Sequence, residues 1–247
     1  MAGIKSNISF GLVNIPVVMM PIVKDNDASF NQLHKKCLNR IRYIKYCPTC
    51  NKELKETDIV KGYQYAKDNY LVFEKKELDA LKPEKNHEIE VISFININEI
   101  PSIYLEKSYY LSAATKSKAY SLFSEALNKT KMVALAKCVI STKFYYCILR
   151  LTTDGIIMTT LYFDEEINTP NTQTKGKVEE KELNLAIKLI NSMKGKFEPE
   201  KYKDEYHINI EKAINTKLKG QKIKDKKKSN KAQVTSLLDA LEKSLKE

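Results

Sequence analysis

The sequence predicts an α+β fold in which β structure dominates. Three observations carry that reading. Runs of alternating apolar and polar residues recur as far as Phe163, with strand-breaking turn residues between them. A Thr153-Asp154-Gly155 turn sits between two such runs, a strong hairpin signal. Beyond Asn168 the apolar period changes from two to 3.6, so helices follow the β region.

The elements follow in order. Ile8 to Val13 and Val17 to Val23 read as strands, with Asn14-Ile15-Pro16 as the break. A Cys-rich segment comes next. Ile59 to Tyr65 and Tyr70 to Phe73 form a predicted hairpin turning at Lys67-Asp68-Asn69. Glu74 to Leu81 is a short predicted helix stopped by Pro83, and Glu88 to Ile97 and Ser108 to Ser112 are strands. Lys116 to Asn128 is helical, with Ala119, Leu122, Phe123, Ala126 and Leu127 on one stripe. Three strands follow: Met132 to Ser141, Phe144 to Thr152 and Ile156 to Phe163. After the polar Asn168 to Glu180 connection, Glu182 to Met193 and Asp204 to Lys219 are amphipathic helices. The expected organisation is a core over 1–170, with an inserted segment at about 30–75, a helical arm over 171–220 and a tail over 221–247.

The chain has 247 residues, enough for one large domain or two small ones with a sizeable core. Its net charge is +11 and its isoelectric point is near 9.2. A folded chain this basic points first to nucleic acid and second to a membrane surface. The apolar N-terminus is broken by Asn14, Pro16 and Pro21 and falls short of the ~20 residues a spanning helix needs. No membrane partner and no signal peptide are therefore expected. Cys138 and Cys147 lie in apolar runs and read as buried thiols, whereas Cys37, Cys47 and Cys50 cluster. That pattern fits a reducing cytoplasmic location, with metal favoured over disulfides.

Cys47-Pro48-Thr49-Cys50 places two thiols on one turn, and His34-Lys35-Lys36-Cys37 repeats the spacing. A Cys₃His set suits structural Zn²⁺. A metal clip would also organise a segment too polar to hold itself together. Water or His87 is the alternative to His34 as fourth ligand. An unmetallated structural turn and a redox pair remain open from spacing alone. Lys35, Lys36, Arg40, Arg42, Lys45 and Lys52 fall between or beside these ligands. A strand through "RIRYIK" would show Arg40 and Arg42 on one face, where their forks suit phosphate oxygens. A solvated charged strand edge accounts for the same spacing.

A Lys-rich run, Lys217 to Lys231, leads from the arm into the tail; it includes Lys222, Lys224, Lys226, Lys227 and Lys228 and cannot bury enough apolar surface to fold alone. The tail ends in "VTSLLDALEKSL", with Val234, Leu237, Leu238, Leu241 and Leu245 on one helical stripe. That stripe suits docking into a partner's groove or folding back on the chain's own core.

Six stretches, in order, carry a resemblance: "SNISFGLVNIPV", "LHKKCLNRIRYIKYCPTC", "DIVKGYQY", "EIEVISF", "KSYYL" and "KYKDEYH". Together they resemble the bacterial Ku proteins of nonhomologous DNA end joining, over nearly the whole chain. The resemblance implies a Ku-type β-barrel core with a bridge or zinc-ribbon-like insertion, followed by a helical C-terminal region. It also implies a homodimer whose two subunits make a ring that threads onto a broken double-stranded DNA end. The family recruits an ATP-dependent DNA ligase and has no nuclease or ligase activity of its own. The implied DNA contacts are the cations of the insertion, including Lys61, and the Lys-rich tail; the implied ligase contact is the Val234–Leu245 stripe.

A broken end has no defined sequence, so binding has to rest on phosphate contacts, which position without specifying. Two other classes compete. An end-processing lyase or nuclease would need an activated Lys or a two-metal carboxylate cluster; no such carboxylate cluster and no Gly-rich phosphate loop are evident. A zinc-ribbon nucleic-acid-binding regulator would need far fewer residues than the β region supplies.

Overall fold

The structure is a computed structural model and describes residues 3–24, 26–84, 87–168, 176 and 178–222. Its contacts divide the chain into two units, Met1–Asp25 with Asn31–Thr169, and Asn26–Phe30 with Pro170–Glu247.

In the first unit, strands β1 (Ile4–Phe10) and β2 (Val13–Pro21) form a tight hairpin. The turn falls at Gly11-Leu12, not at the expected Asn14-Ile15-Pro16 break. Gly11 adopts φ 56°, which a residue without Cβ accepts readily. Pro16 lies inside β2, where its missing N–H does no damage. Pairing of β2 to its other neighbour begins one residue later, at Val17, and the Pro16 carbonyl still accepts from Ala114 N–H at 3.1 Å.

A long excursion then carries the small hairpins β3 (Tyr46–Cys47) with β4 (Lys52–Glu53) and β5 (Lys61–Ala66) with β6 (Asn69–Phe73), and helix α1 (Lys75–Ala80). The chain returns through β7 (Glu88–Ile95) and β8 (Leu105–Ala113). Helix α2 (Lys118–Thr130) and strands β9 (Val133–Ile140), β10 (Lys143–Thr152) and β11 (Gly155–Leu161) complete the unit.

Seven strands close a barrel in the order β1-β2-β8-β11-β10-β9-β7. All neighbours are antiparallel except β1 and β7, whose parallel pairing of Ile8 with Ile89 seals it. Alternation along each strand sends Ile8, Ile15, Val17, Met19, Ile89, Leu111, Leu149, Ile156 and Met158 inward. On β9 and β10 several inward positions are small: Ala134, Ala136, Cys138 and Cys147. Small residues facing large ones let a narrow barrel fill without voids.

The two ends of the barrel differ. Helix α2 covers one, inserting Phe123 and Leu127 into the core, where Phe123 meets Phe10 at 5.1 Å and Phe94 at 6.5 Å between ring centroids. Ser117 caps the helix start and Lys131, at φ 58°, ends it. The Tyr120 hydroxyl donates to the Leu111 carbonyl at 2.7 Å and accepts from Ile156 N–H at 3.2 Å, tying α2 to β8 and β11. Leu122, expected on the buried stripe, is 68% exposed because it points away from the plug. At the other end, Ile4, Met19, His87, Cys138 and Ile140 line a cavity of about 240 Å³.

The second unit contains helices α3 (Glu180–Ser192) and α4 (Glu205–Leu218). Asp204 caps α4, accepting from Tyr206 N–H at 2.8 Å and His207 N–H at 3.1 Å. Both helices lie close to the predicted spans. Their apolar stripes are not buried: Leu183, Ile187, Ile190 and Met193 of α3 are all exposed.

Candidate nucleic-acid interface

Between Met19 and Ile89 no described residue is buried. This excursion leaves the barrel at the end of β2 and returns at the start of β7, beside the cavity-bearing end. A segment this long without apolar burial has no core of its own. Its backbone is organised by short-range hydrogen bonds: Leu33 bridges Arg40, Ile41 N–H donates to Gln32 at 3.2 Å, and Leu54 N–H donates to Lys45 at 2.8 Å.

The predicted cations stand exposed on it. Lys35, Lys36, Arg40, Arg42, Lys52 and Lys61 form no ion pair with any described carboxylate. Lys45 does: its ammonium pairs with Glu56 and holds that carboxyl below its ordinary pKa. The expected strand through "RIRYIK" does not form. Arg40 makes an isolated bridge, residues 41–45 belong to no strand, and only Tyr46 and Cys47 pair onward. Alternation alone cannot make a strand where the neighbours, Gln32 and Leu54, supply only isolated hydrogen bonds and no continuous ladder.

Hairpin β5–β6 forms as predicted, with every residue exposed except the half-buried Phe73. Register places Lys61, Tyr63, Leu71 and Phe73 on one face and Gln64, Tyr70 and Val72 on the other, with Tyr65 at a break in the pairing. Tyr63 is 65% and Tyr65 61% exposed. Two-stranded ribbons are marginal in water unless something packs on them. Sequence reading found the hairpin and missed that both its faces lie open.

The four predicted metal-ligating residues come as two pairs. His34 Nδ1 lies 3.1 Å from Cys37 Sγ, on a turn closed by Leu38 N–H donating to the His34 carbonyl. Cys47 and Cys50 share the turn between β3 and β4. The Cys50 backbone N–H donates to the Cys47 sulfur and lowers that thiol's pKa, while hydrogen bonding to Cys47 raises that of Cys50. Each pair is followed at once by a left-handed residue, Leu38 at φ 57° and Asn51 at φ 51°. The donor chemistry suits zinc and the two turns are alike. Among the described residues, however, no group of three or more His, Cys, Asp or Glu side chains is gathered. His87, the alternative fourth ligand, lines the barrel cavity. In the tail, Lys222 is exposed. Lys224, Lys226, Lys227 and Lys228, and the Val234, Leu237, Leu238, Leu241 and Leu245 stripe, lie outside the described residues.

A family model described as the Ku70/Ku80 beta-barrel domain matches residues 9–185, most of the chain. The chain belongs to the Ku family. Curated relatives carry the name non-homologous end joining protein Ku. The one from Lachnoclostridium phytofermentans is 40% identical, over 98% of this chain and 95% of its own length. Those from Desulfitobacterium hafniense and Bacillus subtilis are 36% and 35% identical, again over 98% of this chain and over 86% and 80% of their own lengths. The matched Ku region takes in the barrel from Ser9 onward and the excursion, so the exposed cations and both His/Cys turns fall inside it. No helix among the described residues is long and apolar enough to cross a membrane.

Proposed function

We propose that two copies of this chain close a ring around a double-stranded DNA end, hold and protect it, and recruit an ATP-dependent ligase to join it to another. One observation carries this reading within the Ku family: a coreless excursion that presents Lys35, Lys36, Arg40, Arg42 and Lys52 free of carboxylate partners among the described residues. Unpaired cations on a segment with no interior of its own suit a polyanion that becomes their partner. Contacts of this kind fall on phosphates and read no sequence. The Lys-rich stretch that begins near Lys217 adds a further phosphate-binding tether, and the Val234–Leu245 stripe is the proposed ligase contact. The chain acts as a scaffold.

Zinc is proposed as the element that organises the excursion. His34, Cys37, Cys47 and Cys50 would hold it, and it would supply a cross-link between two turns in place of a hydrophobic core. Two matching turns, each with a left-handed residue after its second ligand, support this.

The deciding experiment is a gel-shift competition between linear duplex and covalently closed circle of the same sequence at matched salt. Linear DNA is expected to bind and the circle to compete poorly. Equal competition, or a monomeric mass by light scattering, would overturn the ring.

A further inference from the structure

We propose that hairpin β5–β6 is a stacking platform for the unpaired bases of a single-stranded overhang, with Tyr63, Tyr65 and Tyr70 as the rings that take them. This adds base contacts to the DNA-end reading on which it rests. Tyr63 and Tyr65 stand between Lys61 and Lys67, and Tyr70 returns on the other strand. All three are more than half exposed, whereas Tyr109, Tyr110, Tyr120 and Tyr145 in the rest of the same unit are half-buried. Open aromatic area on both faces of one ribbon marks an interaction surface.

Two local features place the rings. Gly62 is not left-handed, so no turn requires it. A Cβ there would stand 3.2 Å from Cδ1 and 3.3 Å from Cβ of Tyr70. The missing side chain lets Tyr70 settle close to the β5 backbone while 55% of the residue stays exposed. The pairing slips between Gln64 and Ala66, and such a bulge re-aims the residue it releases, here Tyr65.

Charge argues for the occupant. Residues 31–73 carry nine Lys and Arg against four Asp and Glu, so this part of the chain draws a polyanion. Every base has a flat face, so stacking on aromatic rings is tolerant of sequence, as binding to an arbitrary break requires. Inside a duplex those faces are already stacked on one another; an overhang leaves them free. Leu71 and Val72 share the ribbon and would also suit a protein partner, which the test separates.

The test is fluorescence anisotropy with labelled DNA, comparing the full chain with Y63L/Y65L/Y70L. The probes are a blunt duplex, the same duplex with an oligothymidine overhang, and the free oligothymidine strand. The parent chain is expected to bind the overhang duplex about tenfold more tightly than the blunt one, the gain that one well-stacked base supplies. The leucine variant is expected to lose that margin and the free-strand binding, and to hold blunt duplex as the parent does. Y63F/Y65F/Y70F, which keeps the rings, is expected to keep the margin. No margin in the parent, or an equal margin in the leucine variant, overturns the platform and leaves the hairpin to a protein partner. Equal weakening on both duplexes also overturns it. Failure of the ring shows separately, as equal binding of linear duplex and closed circle, and free-strand binding still reports on the tyrosines. Circular dichroism checks the fold; should the triple variant fail to fold, Tyr63→Leu alone decides by the same comparison.

Discussion

His34 Nδ1 lies 3.1 Å from Cys37 Sγ, on a turn whose spacing and left-handed exit match those of the Cys47–Cys50 turn. If zinc joins the two, removing one ligand from either turn has the same consequence. Cys37→Ser and Cys50→Ser are each expected to release the metal and to raise amide exchange across Leu33–Lys52, while the barrel amides stay protected. Metal content by mass spectrometry and hydrogen exchange check this; unchanged metal in both variants contradicts the proposed set.

Leu38 offers a cleaner probe of the turn itself. At φ 57° a leucine costs about 1–2 kcal/mol, and its side chain is exposed, so little burial is lost on removing it. Leu38→Gly is expected to keep the metal and to stabilise the turn by roughly 1 kcal/mol. Resistance to metal removal by a chelator, compared with the parent chain, reads the effect.

Arg40 and Arg42 test the phosphate reading. Replacing both by Ala is expected to weaken binding to linear duplexes of any sequence alike. It should also lower the slope of log K against log salt by about 1.8, at about 0.9 per lost phosphate contact. A change that depends on sequence, or an unaltered slope, would place these side chains away from the DNA.

Tyr120 tests the plug. Tyr120→Phe leaves the Ile156 N–H and the Leu111 carbonyl without the hydroxyl that serves both. A loss of about 1–3 kcal/mol in urea unfolding is expected, with DNA affinity per folded molecule unchanged. Phe123→Ala, which empties the aromatic contact with Phe10 and Phe94, is expected to cost about 3–5 kcal/mol.

Glu166 sets a pH dependence. The Phe163 N–H, at 3.0 Å, and then the Lys143 ammonium, at 3.5 Å, hold its carboxyl below the ordinary range. A carboxyl depressed in the folded state contributes stability that is complete above its unfolded pKa and is lost as pH falls through the folded value. Urea midpoints of the parent chain should therefore fall on acidification through that window. Glu166→Gln should flatten that limb, and by only a small amount because the group is exposed.

Much of the barrel was legible because its signals are local. Alternation located every barrel strand after β2 to within a few residues, Thr153-Asp154-Gly155 located the β10–β11 hairpin, and Cys138 and Cys147 read correctly as buried. The readings that went astray needed a neighbour to decide them. Asn14-Ile15-Pro16 looked like a break, yet Pro16 is tolerated because β8 does not pair with it. "RIRYIK" alternated like a strand but finds only isolated backbone bonds, not a ladder, and Leu122 sat on a helical stripe wider than the barrel mouth can bury.

By itself the sequence determined the β-then-helix order, the basic character, the duplicated ligand spacing and the family, all of which rest on composition or on patterns within short stretches of the chain. Only the tertiary structure decided that Ile8 pairs in parallel with Ile89 to close the barrel, that α2 plugs one end and a cavity holds the other, and that Lys45 is claimed by Glu56 while Arg40 stays free. Those outcomes depend on which distant segments meet, and the energy of such a meeting leaves no period in the sequence to read.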